Sequence, residues 1–291
     1  MKKVQLAILS SVLLLSSRMA VGQAAAGDSL NEELFQAAGK GDVAAVRQLL
    51  AKGASVEVRS EAGATPLIAA VRAGQLETAR VLLDHGANPE ARDGSDNNTA
   101  LMIAFSHNDL PMIKLLLDKG ANVDVRDYHG ETELMGAASG GDVERMKLVL
   151  ARGADIEARG YLNETTLEDA TVSGKPEAVE LLLDRGAKIE AVDERGWTAL
   201  LWAAFYGRTE VVKLLLARGA NIEATAGDSL FGGDTALIMA ARSSWSEVVK
   251  LLLEKGASVK VMDKDGKTAL EWALKGDNPE VLKLLKDHGA K

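Results

Sequence analysis

Residues 198–224 read TALLWAAFYGRTEVVKLLLARGANIEA, and the fold of the whole chain turns on how this stretch is read. Its pattern fits two short amphipathic helices followed by an extended tail. One feature resists that simple reading. Phe205 and Tyr206 stand side by side at the end of the first helix, where polar groups are usual. They are either core or a surface that touches something else.

The stretch is one copy of a repeated unit. A leucine pair followed closely by Gly-Ala recurs with its glycine at Gly53, Gly86, Gly120, Gly153, Gly186, Gly219, Gly256 and Gly289, at intervals of 33, 34, 33, 33, 33, 37 and 33. A threonine stands 21 residues before each of the last seven glycines, from Thr65 to Thr268, with a leucine two residues after it. An alanine precedes every glycine by 16 residues, from Ala37 to Ala273. A fixed period of this length is the mark of stacked repeats.

Each recurring residue has a physical task. The threonine hydroxyl is suited to cap the first free amides of a helix, and Pro66 falls in the first helical turn, where proline is tolerated. Gly or Asn two residues earlier (Asn97 and Asn163 among them) suits a turn that needs positive φ. The small alanine lets helices approach closely. The glycine after the second helix suits a left-handed C-cap.

This pattern resembles the ankyrin repeat over about residues 30–291. The resemblance implies an all-α repeat solenoid of about eight helix-turn-helix units with short β-hairpin fingers. The units are read at 30–60, 61–93, 94–127, 128–160, 161–193, 194–226, 227–263 and 264–291. One departure is consistent: where that family often has histidine after Thr-Pro-Leu, this chain has Ile68, Met102, Met135, Glu168, Leu201, Ile238 and Glu271. Apolar stacking is therefore expected to replace the histidine hydrogen bonds. Lys286 replaces the outward leucine of the last unit, and Glu32, Glu33, Gln36 and Lys40 lie on the first. Both suit polar ends of a stack that leaves no room for a catalytic domain.

Before the repeats, residues 1–26 carry Lys2 and Lys3, an apolar run from Val4 to Leu15, and small residues. That layout predicts a cleaved secretory signal peptide, and hence an exported, periplasmic or secreted protein with no membrane anchor after cleavage. Losing Lys2, Lys3 and Arg18 lowers the formal charge from −8 by three, to −11. An acidic chain repels phosphate backbones, so no nucleic-acid partner is expected. The 291 residues include no cysteine, which excludes disulfides and thiolate metal sites.

Signs of chemistry are few. GKGD at 39–42 lacks the spacing of a phosphate loop and reads as a turn. His85 and His288 sit at the ends of second helices, as partners of the helix dipole. Only His107 and His129, with Asp127 nearby, suggest a metal-dependent or carboxylate enzyme as an alternative. Catalytic carboxylates need burial or convergence, and the sequence points to neither. No catalytic residue, metal or cofactor is expected.

The resemblance also implies that a protein partner binds the concave face, formed by finger tips and the exposed end of helix 1. The matching positions are Tyr128, His129, Tyr161, Leu162, Trp197, Phe205, Tyr206 and Arg242, joined by Phe231 from the four-residue insertion in ATAGDSLFGGD. Aromatic residues and arginine are the types that dominate binding hot spots. Packing of Phe205 and Tyr206 against Phe231 is the competing reading, while Trp202 and Trp272, at equivalent positions, read as structural. Along the first four fingers Arg59, Arg92, Arg126 and Arg159 follow Glu57, Glu90, Asp124 and Glu157 by two residues. This spacing predicts a ladder of cross-repeat ion pairs, or a surface for an acidic partner. The expected protein is a monomeric, non-enzymatic binding scaffold, with a self-associating envelope component as a further alternative.

Overall fold

The computed structural model describes residues 29–227 and 230–291; the segment read as a signal peptide lies outside them. Helices come in pairs, each pair one repeat. The first compact unit of the chain ends at Asn122 and the second runs Val123–Lys291. In the first unit, α1 (29–40) pairs with α2 (Val43–Ala51), α3 (Pro66–Arg72) with α4 (Leu76–Asp84), and α5 (Ala100–Ser106) with α6 (Leu110–Asp118). In the second unit the pairs are α7 (Glu133–Gly140) with α8 (Val143–Leu150), α9 (Thr166–Ser173) with α10 (Pro176–Asp184), and α11 (Ala199–Phe205) with α12 (Thr209–Ala217). They continue with α13 (Ala236–Arg242) and α14 (Ser246–Glu254), then α15 (Ala269–Gly276) and α16 (Pro279–Asp287).

Within the second unit the first helices pack as one row, α7 on α9 on α11 on α13 on α15, and the second helices as another, α8 through α16. The recurring alanines make the first row possible. Ala137, Ala170, Ala203, Ala240 and Ala273 are all buried, each within 1% of zero exposure. Val149, Val179, Leu182, Val211, Leu215 and Leu252 fill the space behind them at 0% exposure. In the first unit α3 contacts α5, and α2 and α6 flank α4, by the same residue types. This is an all-α repeat architecture.

All seven recurring threonines cap their helices: each Oγ1 accepts the amide of the residue three positions on, from Ile68 to Glu271. Such a cap contributes about 1 kcal/mol. Asn97 and Asn163 take positive φ, each 58°, as a tight turn requires. GKGD closes α1 with Gly39 and Lys40 and turns at Gly41, with Asp42 capping α2 through the Ala45 amide. Ile68, Met135, Leu201 and Ile238 are buried in the stack, whereas Glu168 and Glu271 close capping boxes instead.

The fingers are plainer than β-hairpins. Among the described residues they carry isolated bridges, Arg92 with Thr99, Arg126 with Thr132, Arg159 with Thr165 and Thr225 with Thr235. An aspartate closes several of them: Asp93, Asp127, Asp193 and Asp263. Oδ1 of Asp193 accepts the amides of Arg195 and Trp197, and that of Asp263 accepts those of Asp265 and Lys267.

The arginine series is a ladder of a different kind from the one expected. Arg59 donates to the carbonyls of Gly63 and Arg92, at 2.7 and 2.8 Å, and Arg159 to those of Asn163 and Val192, at 2.9 and 2.7 Å. Arg126 binds the Gly130 and Arg159 carbonyls in the same way. The acids accept main-chain amides from the following repeat: Glu57 from Asn88, Glu90 from Asn122, Asp124 from Asp155 and Glu157 from Lys188. Each side chain thus stitches one finger to the next through backbone groups. Carbonyls and amides left open along the fingers supply these side chains with partners.

Candidate protein-binding surface

Two pockets of the second unit gather eight of the nine predicted contact residues. The larger, about 420 Å³, is lined by Arg195, Trp197, Trp202, Phe205, Tyr206, Leu230 and Phe231. It lies between the fingers at 192–198 and 225–235, above the C-terminal end of α11. Trp197 is its floor. At 2% exposure it is buried, which corrects its expected place on the contact surface. Its ring meets Phe231 edge-on at 5.1 Å, Phe205 at 5.4 Å and Trp202 at 4.5 Å. Edge-to-face contacts of this kind are favourable for aromatic quadrupoles.

The two neighbours that opened the question divide the work. Phe205 turns inward, half-buried, and packs against Phe231 at 5.7 Å. Tyr206 stays 40% exposed and lies flat against Trp202, with planes 10° apart and centroids 5.7 Å apart. Trp202 is part of the wall as well as of the packing; its Nε1 is buried without an acceptor, so ring faces hold it. The guanidinium of Arg195 lies 5.5 Å from the Trp202 centroid. The insertion contributes Leu230, which is 66% exposed, together with Phe231.

Sequence reasoning missed Trp245. It precedes α14, lies over Gly207 and donates Nε1–H to the Phe205 carbonyl at 2.9 Å. Gly207 has φ of 67°, and a Cβ there would come within 2.5 Å of the indole. The position has a readable register. Lys175, Arg208 and Asn278 occupy equivalent places and donate to carbonyls of the preceding repeat at Gly140, Val172 and Ser244.

The second pocket, about 400 Å³, is lined by Tyr128, His129, Glu131, Tyr161, Leu162 and Glu164. It spans the fingers at 126–132 and 159–165. Tyr128 and Tyr161 are 78% and 84% exposed, and the His129 ring lies 3.8 Å from that of Tyr128. Gly160 replaces the aspartate that closes other fingers, and Glu164 supplies the missing carboxylate: its Oε2 accepts the Leu162 amide at 2.7 Å. A Cβ at position 160 would collide with the Glu164 Oε1.

Carboxylates beneath this pocket are buried, against the expectation that no acid would be. Burial first, then the charges of Glu131, Glu164 and Glu168, push the Asp169 carboxyl up to about 8. Burial likewise raises Glu168 to about 8, opposed by the amide hydrogen bond from Thr165, and Glu133 to about 7, opposed by its ion pair with Arg145. Glu131 is raised too, by burial and then by Asp127 and Glu164.

Arg242, the ninth residue, is held internally. It pairs with the buried Asp234 at 2.8 Å and lies 3.9 Å from the Trp272 ring centroid and 4.6 Å from that of Phe231. His107 ends α5 in the first unit and His129 lies in the second. Among the described residues no group of three or more His, Cys, Asp or Glu is arranged to hold a metal, and no helix is long and apolar enough to cross a membrane.

Comparison with known proteins agrees with the geometry. The family model "Ankyrin repeats (3 copies)" matches residues 34–127, 134–226 and 225–291. An ankyrin repeat, SAM and basic leucine zipper domain-containing protein 1 from Notamacropus eugenii is 42% identical over 79 residues, 27% of this chain and 16% of that protein. The 2-5A-dependent ribonuclease of Mus musculus is 44% identical over 63 residues, 21% of this chain and 9% of that protein. Putative ankyrin repeat protein R664 of Acanthamoeba polyphaga mimivirus is 39% identical over 67 residues, 23% of this chain and 41% of that protein. The matches thus span well under two thirds of these relatives. Repeats of this type generally mediate protein–protein interaction and are generally non-enzymatic. With helix pairs at a 33-residue period and a family match over most of its length, the chain belongs to the ankyrin repeat family.

Proposed function

We propose that this protein is a non-enzymatic scaffold that binds a protein partner across the finger tips and helix-1 ends of its second unit. The aromatic pocket around Trp202, Tyr206, Leu230 and Phe231 is the principal anchor. One observation carries this reading: Tyr206 and Leu230 hold apolar surface in water at 40% and 66% exposure on a wall of rings that Trp197 fixes from below. Rigid aromatic anchors lose little entropy on binding and dominate interface energetics. The pocket offers an apolar side chain of a partner a preformed seat.

The reading includes export of a monomeric chain, on the strength of the charged, apolar and small-residue order of residues 1–26. Affinity capture from periplasmic and culture fractions, identified by mass spectrometry, tests partner and place together. Tyr206→Ala with Leu230→Ala is expected to lower capture about tenfold or more, the loss of one or two interface anchors, with unchanged helical content. Capture that survives the double variant refutes the assignment of the anchor.

A further inference from the structure

The second pocket says something about the partner that the first does not. Its walls are two tyrosine rings standing largely in water, and its carboxylates are Glu131 and Glu164, beside the His129 ring that lies against Tyr128. Negative ring faces and carboxylates converge there on a single preference, for positive charge. Asp169 in α9 lies close enough to both glutamates to feel them, and its buried Oδ2 meets no hydrogen-bond donor. Glu168, 2% exposed, likewise keeps a buried oxygen without a donor. Both carboxyls hold their protons up to about 8, so the pocket's negative charge comes from Glu131 and Glu164, while Arg159 near Glu168 is spent on finger carbonyls.

We propose that the Tyr128–Tyr161 pocket receives a lysine or arginine side chain of the same partner segment whose apolar residue enters the aromatic pocket. The inference rests on the binding reading above and adds the partner's chemistry. Charge complementarity selects this occupant: an acidic side chain meets at least two like charges, and an apolar one leaves Glu131 and Glu164 desolvated without a partner. The ring faces of Tyr128 and Tyr161 flank the aliphatic stem, and the carboxylates take the charged head.

Geometry sets the spacing. The tyrosine pocket bridges the first and second fingers of the unit, and the aromatic pocket the third and fourth, so their centres lie two repeats apart. Neighbouring helices pack about 10 Å apart, which makes the separation about 20 Å. An extended chain covers that in about six residues at ~3.3 Å each. Backbone bonds hold the intervening tips in register: the Glu194 amide donates to the Leu162 carbonyl at 3.2 Å, and the Gly227 amide to the Arg195 carbonyl at 3.0 Å.

Probes of defined chemistry test this on the full chain by NMR of labelled tyrosine and tryptophan rings. N-acetyl-arginine amide is expected to shift the Tyr128 and Tyr161 resonances saturably. Its neutral isostere N-acetyl-citrulline amide is expected to shift them at least several-fold less. Glu131→Gln with Glu164→Gln should abolish the difference; glutamine keeps an acceptor for the Leu162 amide, and thermal melting checks the fold. A peptide bearing arginine and leucine six residues apart should bind about tenfold more tightly than its citrulline version, since the second contact is intramolecular. Equal response to arginine and citrulline, or a response that survives the glutamine variant, overturns the proposal. N-acetyl-leucine amide, read at Trp202 and Tyr206, reports separately on the aromatic anchor, so either reading can fail alone.

Discussion

At the scale of single residues, burial separates neighbours that look alike in the sequence. Trp197 and Tyr206 are both aromatic, both near the finger and the end of helix 1, yet one is 2% and the other 40% exposed. Their removal should have opposite signatures. Trp197→Ala leaves a cavity beneath Trp202, Phe205 and Phe231 and is expected to cost about 3–5 kcal/mol of stability, as large-to-small core changes do. Tyr206→Ala is expected to cost under about 1 kcal/mol, as exposed substitutions do. Urea denaturation of the two variants checks the contrast, and comparable losses would mean that the floor of the pocket has been wrongly placed. The pair Phe205–Tyr206 thus answers both ways: the first ring is packing and the second is surface.

At the scale of the element, the fingers hold together through side chains that bind backbone rather than one another. An ion-pair ladder would weaken as salt rises, whereas a guanidinium shared between two carbonyls is far less sensitive. Arg59→Ala, which removes the donor to the Gly63 and Arg92 carbonyls, is therefore expected to lower stability by about 1–2 kcal/mol, with the same loss at low salt and at 1 M NaCl in denaturant titrations. A loss that disappears in salt would restore the ion-pair account. The comparison shows where sequence reading succeeds. Thr198 and its equivalents cap helices because a hydroxyl at that position has one nearby amide to accept from, a local matter that periodicity reveals. The acid and arginine series was legible as a series, but its partners lie a whole repeat away, and spacing alone does not distinguish a carboxylate from a carbonyl. The contact residues were legible as a group for the same reason, while Trp197's burial depends on Phe231, delivered by an insertion of irregular length. Trp245 escaped notice because its role appears only when the preceding repeat's carbonyl is in place.

At the scale of the whole molecule, the buried acids make stability depend on pH in an uncommon direction. Glu133, Glu168 and Asp169 hold their protons in the folded chain up to about 7, 8 and 8, against ordinary values of 4.5, 4.5 and 3.8. Between those limits the folded state binds more protons than the unfolded one, so stability falls as pH rises through this window. The midpoint of thermal unfolding is expected to be lower at pH 9 than at pH 6. Asp169→Asn, which removes one titrating group among Glu131, Glu164 and Glu168, should reduce that difference. A midpoint that is flat or rises over the range contradicts the assignment. Repeats in a stack are stabilised mainly by nearest neighbours, so in the second unit this sensitivity is concentrated in α7 and α9. The donors at Lys175, Arg208, Trp245 and Asn278 add a sense of direction, because each reaches back toward the repeat before it. At these positions a pair of helices that peels away from the C-terminal edge takes its own donor with it and leaves behind a carbonyl, which water readily solvates. Erosion from that edge therefore strands no donor at these four positions, whichever pair is the last to leave.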